Sequence, residues 1–507
     1  MMHPRGFATT QPDKPAYIMA GSGETVTYGE LEARANRVAH WLRAQGVREG
    51  DVVAFLVENH PRAYELIWGA QRAGVHYLLV PATLVASEAA YMIANSGAVL
   101  AVMSAKMAGK LGSGADDFAC PVYPLEDRLL EELSGFPDTP ITDEAPGADM
   151  LYSSGTTGFP KGIKGVRPAE FGAPDRATLL GQEHFAYAGD SIYLCPAPLY
   201  HAAPLRWSLA IHRLGGTIIL MERFDAETAL RMIDEHGVTV AQFVPTHFAR
   251  MLALPPEVRA RYDLSSLKCV FHAGAPCAIP IKRAMIDWVG PIVSEFYSGS
   301  EGLGITIISA PEWLERPGSV GRAMQGIIKI CGSDEDELPA GQAGSVRFAE
   351  VRRFEYHGDP EKTASAYNKH GWPTLGDIGY LDEAGYLFLT DRANFTIISG
   401  GVNIYPREIE DRLAQHPEVA DVGVVGLPHD EMGEVVTAFI EPLRWPVVDE
   451  AALTESLDAH ARSGLSPVKI PRRYLFRQSL GRTETGKLLK KAIRDDFLGS
   501  VGEYRSA

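Results

Sequence analysis

Cysteine is scarce and scattered. The 507-residue chain carries five, Cys120, Cys195, Cys269, Cys277 and Cys331, with no CxxC pair among them, which excludes a zinc knuckle or a disulfide framework and suits a reducing, cytoplasmic setting. Positive charge is also in short supply: 48 lysines and arginines against 64 aspartates and glutamates leave a net charge of −16. Nucleic acid and anionic membrane surfaces both reward clustered basic residues, so neither is an expected partner, and an anionic ligand must find a local positive site. No apolar run is long enough to span a bilayer, and the opening MMHPRGFATTQPDKPAY lacks the apolar core of a signal peptide. Internal repeats and low-complexity tracts are missing too.

What is there is ordinary for a folded chain: 46% hydrophobic and 22% charged residues, spread over a length that requires at least two domains. Thr27-Tyr28-Gly29-Glu30 has the spacing of a capping box, and Leu31, Ala35, Val38 and Leu42 follow on one helical face. Beyond it DVVAFLVEN reads as a strand, HPRAYELIWGAQRAG as a helix, HYLLVPA as a strand, and a further helix precedes the strand AVLAVM. The alternation returns with TIILM, the helix AETALRMIDEHG, VTVAQFVP, LKCVFHAG and a helix from Ile279 to Trp288. This predicts an α/β fold of two mainly parallel layers. From Gly344 short strands such as SVRFAE and GYLFLTD suggest a small β-rich subdomain, with a boundary near Asp391 to Phe395. A compact α+β domain follows, with a helix from Pro406 to His416, strands ADVGVVGL and EVVTAFIE, and the terminal helix KLLKKAIRDDF.

Tyr152 to Gly162 reads YSSGTTGFPKG. Glycines 155, 158 and 162 let backbone amides approach an anion, the hydroxyls of Ser153, Ser154, Thr156 and Thr157 add donors, and Lys161 adds charge. The kinase and GTPase pattern GxxxxGK[ST] does not fit, because Pro160 stands at its last glycine and Gly162 at its magnesium-binding hydroxyl. A small-residue surface turn would satisfy the same composition.

Five more segments accompany the loop: LYHAAP (199–204), YSGSEG (297–302), LGDIGYLDEAGYLFLTDR (375–392), SGGVNIYPREIE (399–410) and GRTETGK (481–487). Together, from about Thr27 to about Phe497, the chain resembles the adenylate-forming superfamily of acyl-CoA synthetases, luciferases and peptide-synthetase adenylation domains. The resemblance implies two half-reactions: a carboxylate attacks the α-phosphate of ATP and releases pyrophosphate, then a thiol captures the acyl adenylate. It also implies magnesium as cofactor, with ATP and coenzyme A as co-substrates.

The same resemblance distributes roles. Residues Ser153, Ser154, Gly155, Thr156, Thr157, Gly158 and Lys161 would hold the β- and γ-phosphates, and Glu301 with Ser153 the magnesium, a hard cation that takes oxygen ligands. Tyr297 would stack on adenine against Ala273, Gly274 and Ala275. Ser300 keeps the hydroxyl of the threonine more usual there. Asp377 would accept from the ribose hydroxyls, with Arg392 beside it. Lys487 would bridge the carboxylate and the α-phosphate, and His201 would move near the acyl carboxylate and open the thiol route. Phe243, Val244, His272, Ser298, Gly299 and Leu303 would line the acyl pocket, and Gly400 and Gly401 the pantetheine arm.

Lys487 and the Gly400 strand cannot face one site together, so the resemblance implies a large domain (1–391), a hinge (392–394) and a mobile C-terminal domain (395–507). The family's pivot is usually aspartate or lysine; here it is Asn394, preceded by Asp391 where glycine is common. Asparagine tolerates the unusual dihedrals a pivot needs. The expected activity is ATP-dependent ligation of a hydrophobic acid (fatty, aromatic or steroid-type) to coenzyme A. A chain ending at 507 with no carrier domain favours this over a peptide-synthetase module. Two alternatives stay open: a stand-alone enzyme that adenylates acids and loads a carrier protein, and a nucleotide-binding protein without turnover. A homodimer is the commonest assembly for such a chain. Lys487→Ala should abolish adenylation while sparing thioester formation from supplied acyl adenylate; normal pyrophosphate release by that variant would refute the role given to the lysine.

Overall fold

The computed structural model describes residues 2–153, 160–392, 395–399, 402–429, 432–483 and 488–505. The capping box is formed: Thr27 Oγ1 accepts from Glu30 N at 3.3 Å and Glu30 Oε2 from Thr27 N at 2.9 Å. It starts the helix Tyr28–Ala44, which buries Leu31, Ala35, Val38 and Leu42 as its periodicity requires. Its partner is the helix Ala63–Arg72, buried along its whole length. At their crossing a Cβ on Gly69 would lie 2.5 Å from Val38 Cβ and 2.9 Å from the Ala35 carbonyl, so the two backbones touch where glycine allows it.

This helix pair belongs to a six-stranded sheet in the order Val122–Pro124, Ala98–Met103, Val52–Leu56, His76–Leu79, Ala148–Ser153, Lys161–Lys164. Its strands are parallel except the last, which turns back antiparallel. Val52–Leu56 and His76–Leu79 are buried at every residue, as a parallel sheet covered on both faces demands.

A second sheet of 13 strands has a parallel heart running Pro15–Met19, Thr217–Leu220, Ile192–Cys195, Val240–Phe243, Cys269–His272, Val293–Ser298. Helices Ala226–His236, Pro245–Leu252 and Ile279–Val289 pack with it around Phe243, Phe248, Val270, Met285 and Trp313. The β-rich stretch is an extension of this sheet rather than a sheet apart. Ser319–Gln325 pairs with Ile305–Ile308 on one side and Leu387–Arg392 on the other, joining Ile327–Cys331, Gly344–Ala349 and Thr374–Leu381 to the same ladder. It keeps a core of its own around Ile328, Ile330, Val346, Phe348 and Leu387.

After residue 395 a five-stranded sheet forms from Ile397–Ser399, Val402–Ile404, Val419–His429, Gly433–Pro442 and Arg473–Phe476. Helices Pro406–Leu413 and Glu450–Arg462 cover one face through Ile409, Leu413, Leu453 and Leu457 on Val424 and Ala438. Lys490–Arg505 covers the other, where Ile493 and Phe497 meet Val425, Leu427 and Phe439. Among the described residues, neither cluster contains one before Ile397. The helix expected to reach His416 stops at Leu413, and the buried His416 imidazole lies beyond it, accepting from Glu418 N at 3.3 Å on Nδ1 and bonded to Ser456 Oγ at 2.9 Å through Nε2. No helix among the described residues is long and apolar enough to cross a membrane.

The Gly69 contact is testable. Gly69→Ala should cost about 1–3 kcal/mol, because overpacking forces the helices apart. Gly109→Ala, in the helix Ala105–Leu111 with nothing near the added methyl, should be neutral or gain up to about 1 kcal/mol. The lowest-temperature calorimetric transition of each variant checks both.

Candidate active site

The strands on either side of the glycine-rich loop pair with each other. Ala148–Ser153 and Lys161–Lys164 pair antiparallel with Ser153 opposite Lys161 and Tyr152 opposite Gly162. Glycine is needed there: a Cβ on Gly162 would sit 3.0 Å from Tyr152 Cζ, the ring whose hydroxyl donates to Asn95 Oδ1 at 2.7 Å. The Gly162 carbonyl accepts from His357 N at 2.8 Å, and Lys161 Nζ lies 5.3 Å from the centre of the neighbouring Tyr356 ring. Burial, then the nearby Lys362, lowers the pKa of Lys161, while Asp359 and Glu301 oppose the shift.

Glu301 is aimed by a tight turn at the end of the strand Val293–Ser298. Ser298 Oγ donates to the Gly304 carbonyl at 2.6 Å, and Gly302 N to the Gly299 carbonyl at 3.1 Å, folding the intervening residues back. Tyr356 Oη then donates to Glu301 Oε1 at 3.1 Å, while Oε2 lies 3.5 Å from Ser300 Oγ. A Cβ on Gly299 would fall 2.6 Å from that Oε2 and 2.5 Å from Leu375 Cδ2, so the missing side chain gives room to the carboxylate. No group of three or more His, Cys, Asp or Glu among the described residues could hold a metal by itself. A single fixed carboxylate fits magnesium, which keeps waters and takes its other ligands from substrate phosphates.

Tyr297 and Asp377 come together, the phenol donating to Asp377 Oδ2 at 2.6 Å. Asp377 stands directly opposite Arg392 in the antiparallel pair Thr374–Leu381 and Leu387–Arg392, which brings two residues 15 positions apart to one point of the sheet. Tyr297 also packs face-on to Phe348, with centroids 6.4 Å apart and planes at 26°. Gly274 has a φ of +87°, a conformation that suits glycine, and a Cβ there would meet only Val244 Cγ1, at 3.8 Å. It is flanked by buried Ala273 and half-buried Ala275.

The residues expected around the acyl group divide. Phe243 stands opposite His272 on adjoining parallel strands, and Val244 follows. His272 is fully buried, 5.2 Å from the Phe248 ring, with Nε2 3.6 Å from Glu295 Oε2, the oxygen that also receives Lys282 Nζ at 2.6 Å. Burial lowers the His272 pKa to about 4, so the imidazole is neutral at physiological pH. Leu303 instead belongs to the β-rich core with Val346 and Phe348. Its place next to the Glu301 turn in sequence does not put it on the same face. His201 precedes the helix Ala202–Leu214, its ring 4.5 Å from Tyr200, and burial lowers its pKa to about 4.

Ser154, Gly155, Thr156, Thr157, Gly158, Asn394, Gly400, Gly401 and Lys487 lie outside the described residues. Tyr356 is the residue that sequence reasoning missed. It sits in FEYHGDPEKT, where only the Asp359-Pro360 helix start stands out, and its partner Glu301 is 55 residues away.

Residues 5–350 match the family model described as AMP-binding enzyme, and residues 408–487 the AMP-binding enzyme C-terminal domain. The chain belongs to the AMP-binding enzyme family. A fatty acid–[acyl-carrier-protein] ligase, ScoC of Streptomyces coeruleorubidus, is 31% identical over 97% of this chain and 95% of its own. A feruloyl-CoA synthase of Amycolatopsis is 31% identical over 94% of each. The ATP-bound crystal structure of MatB from Rhodopseudomonas palustris superposes with a TM-score of 0.83 at 27% identity, over 98% of this chain and 99% of that one. This AMP-binding enzyme is thus an adenylate-forming ligase of the acid–thiol class, with a large N-terminal and a small C-terminal domain.

In this ligase Tyr356→Phe keeps the ring beside Lys161 but removes the bond to Glu301. It should lower kcat/KM for ATP about tenfold, the usual worth of a hydrogen bond to a charged group, and leave the KM of the acid unchanged. Steady-state kinetics with each substrate varied in turn checks this split.

Proposed function

We propose that the enzyme activates a hydrophobic carboxylic acid of the fatty, aromatic or steroid type with ATP, through an acyl adenylate, and transfers the acyl group to coenzyme A. The observation that carries this reading is the Tyr356 clasp, which fixes the Glu301 carboxylate beside Lys161 and the strand that closes the phosphate loop. A carboxylate can approach a triphosphate only where opposed charge and fixed donors hold the negative charge that builds at phosphorus. Magnesium, when bound, would supply that neutralisation, with Glu301 and Ser153 as its protein ligands.

In this reading Lys161 and the loop hold the leaving pyrophosphate, and Tyr297, Ala273, Gly274 and Ala275 bound the adenine. Asp377 exchanges the Tyr297 hydroxyl for the ribose, with Arg392 opposite, and Ser300 lies beside the phosphates. Lys487 steadies the reacting carboxylate. Neutral His201 borders the thiol route, along which Gly400 and Gly401 admit the pantetheine arm. Phe243, Val244 and His272 supply the apolar wall, in keeping with relatives whose names specify fatty acid and ferulate. A hinge at 392–394 with Asn394 as pivot would let the domain from residue 395 present Lys487 and then Gly400. Five free cysteines suit a reducing cytoplasm.

The similarity to an acyl-carrier-protein ligase favours one second reading, in which a carrier protein replaces coenzyme A as acceptor. A panel of acids, assayed for AMP and pyrophosphate with magnesium ATP, with and without coenzyme A, separates the two. Thioester formation with free coenzyme A is the expected result. Adenylate formation that coenzyme A leaves unchanged would move the assignment to the carrier protein, and no pyrophosphate from any acid would overturn ligase activity.

A further inference from the structure

Among the described residues, Arg176 has no opposite charge to pair with. It opens the helix Arg176–His184, and its Nη1 donates to the Gly302 carbonyl at 3.3 Å. Nε and Nη2 are buried and donate to nothing among the described residues. The adjacent carboxylate is already committed: Asp175 Oδ1 accepts from Thr178 N at 2.8 Å and Thr178 Oγ1 at 2.7 Å, and Oδ2 accepts from Arg213 Nε at 2.8 Å. The charge that does bear on Arg176 is of like sign, from Arg206, itself paired with Asp149 at 2.9 Å. Burial, with that repulsion added, lowers the Arg176 pKa to about 10.

Buried donors without acceptors are rare in folded chains, and an arginine cannot escape the penalty by shedding its proton at neutral pH. The chain as a whole is acidic, yet no carboxylate among the described residues pairs with Arg176. Nε and Nη2 share one edge of the guanidinium, the edge whose paired N–H groups match two oxygens of a carboxylate or phosphate. The location adds the second half of the argument. Gly302 directly follows Glu301, and Arg206 lies on the helix Ala202–Leu214 that begins just after His201.

We infer that Arg176 is an oxyanion-binding arginine of this ligase, whose two buried donors receive a carboxylate or phosphate group carried by a substrate. The inference rests on the ligase reading for the identity of those substrates. ATP's phosphates already have Lys161 and the loop in that reading, which leaves two sources: an acid with a second carboxylate beyond the reacting one, and coenzyme A with its phosphates. Both present the same oxyanion chemistry to the same edge.

Titration calorimetry on the full chain and on Arg176→Gln, with two matched pairs of probes, tests it. One pair is a monocarboxylic acid and its α,ω-dicarboxylic counterpart; the other is coenzyme A and its 3′-dephospho form. Wild type should prefer the more anionic member of one pair, and Arg176→Gln should erase that preference by weakening the anionic member about tenfold, as loss of a charged hydrogen bond does. The pair affected identifies the source. Arg176→Lys, which keeps the charge but not the fork, should fall between. Without ligand, Arg176→Gln should melt no lower than wild type, because an unpaired buried charge has been removed; a purely structural arginine would lower the melting temperature. Equal affinities in wild type and variant for all four probes, or no binding of either pair by wild type, would overturn the assignment. Because titration needs no turnover, it reads out even where no pyrophosphate is released, so this inference and the ligase reading can fail separately.

Discussion

Two sheets that share no strand are tied to each other at the candidate site by one short segment, and the geometry of the site depends on that tie. Tyr356 reaches Glu301 at the end of a strand in the large sheet, while His357, its neighbour, holds Gly162 in the small one. The strand Lys161–Lys164 and the Glu301 carboxylate are therefore fixed relative to each other by groups one residue apart. Electrostatics makes such a clasp necessary. In a chain of net charge −16 a carboxylate is repelled by the other acidic groups and drawn to solvent, so a fixed position for Glu301 must be imposed by packing and hydrogen bonds.

The same economy of charge runs through the interior. Lys282 and Glu295 are buried together at 2.6 Å, with neutral His272 beside them and Trp313 over the ammonium at 4.8 Å. Each charge there has a partner, because an unpaired one would be expensive. Arg72, buried on the small-sheet side, likewise has Glu32 at 2.7 Å. Arg176 departs from this pattern.

What could be read from the sequence follows from the range of the interactions involved. The capping box at Thr27 and the rhythm of strand and helix are local, and the structure has them where the periodicity put them. The motif residues around the loop, Glu301 and Asp377 were visible because each sits in a short, unusual string. Tyr356 and Arg176 were not, since their partners are 55 and 126 residues away and nothing in their own neighbourhoods marks them. Strand texture gave the β-rich stretch its secondary structure but could not show that Ser319–Gln325 pairs on both edges, which makes it a continuation of the large sheet. Leu303, expected by resemblance beside the acyl group, packs instead with Val346, Phe348 and Leu387, a long-range contact that its own string does not reveal.

The five-stranded sheet is covered by its own helices on both faces, and both of its apolar clusters are drawn from residues after 396. A body built this way has its own source of heat capacity on unfolding, so it can melt as a cooperative unit apart from the two larger sheets.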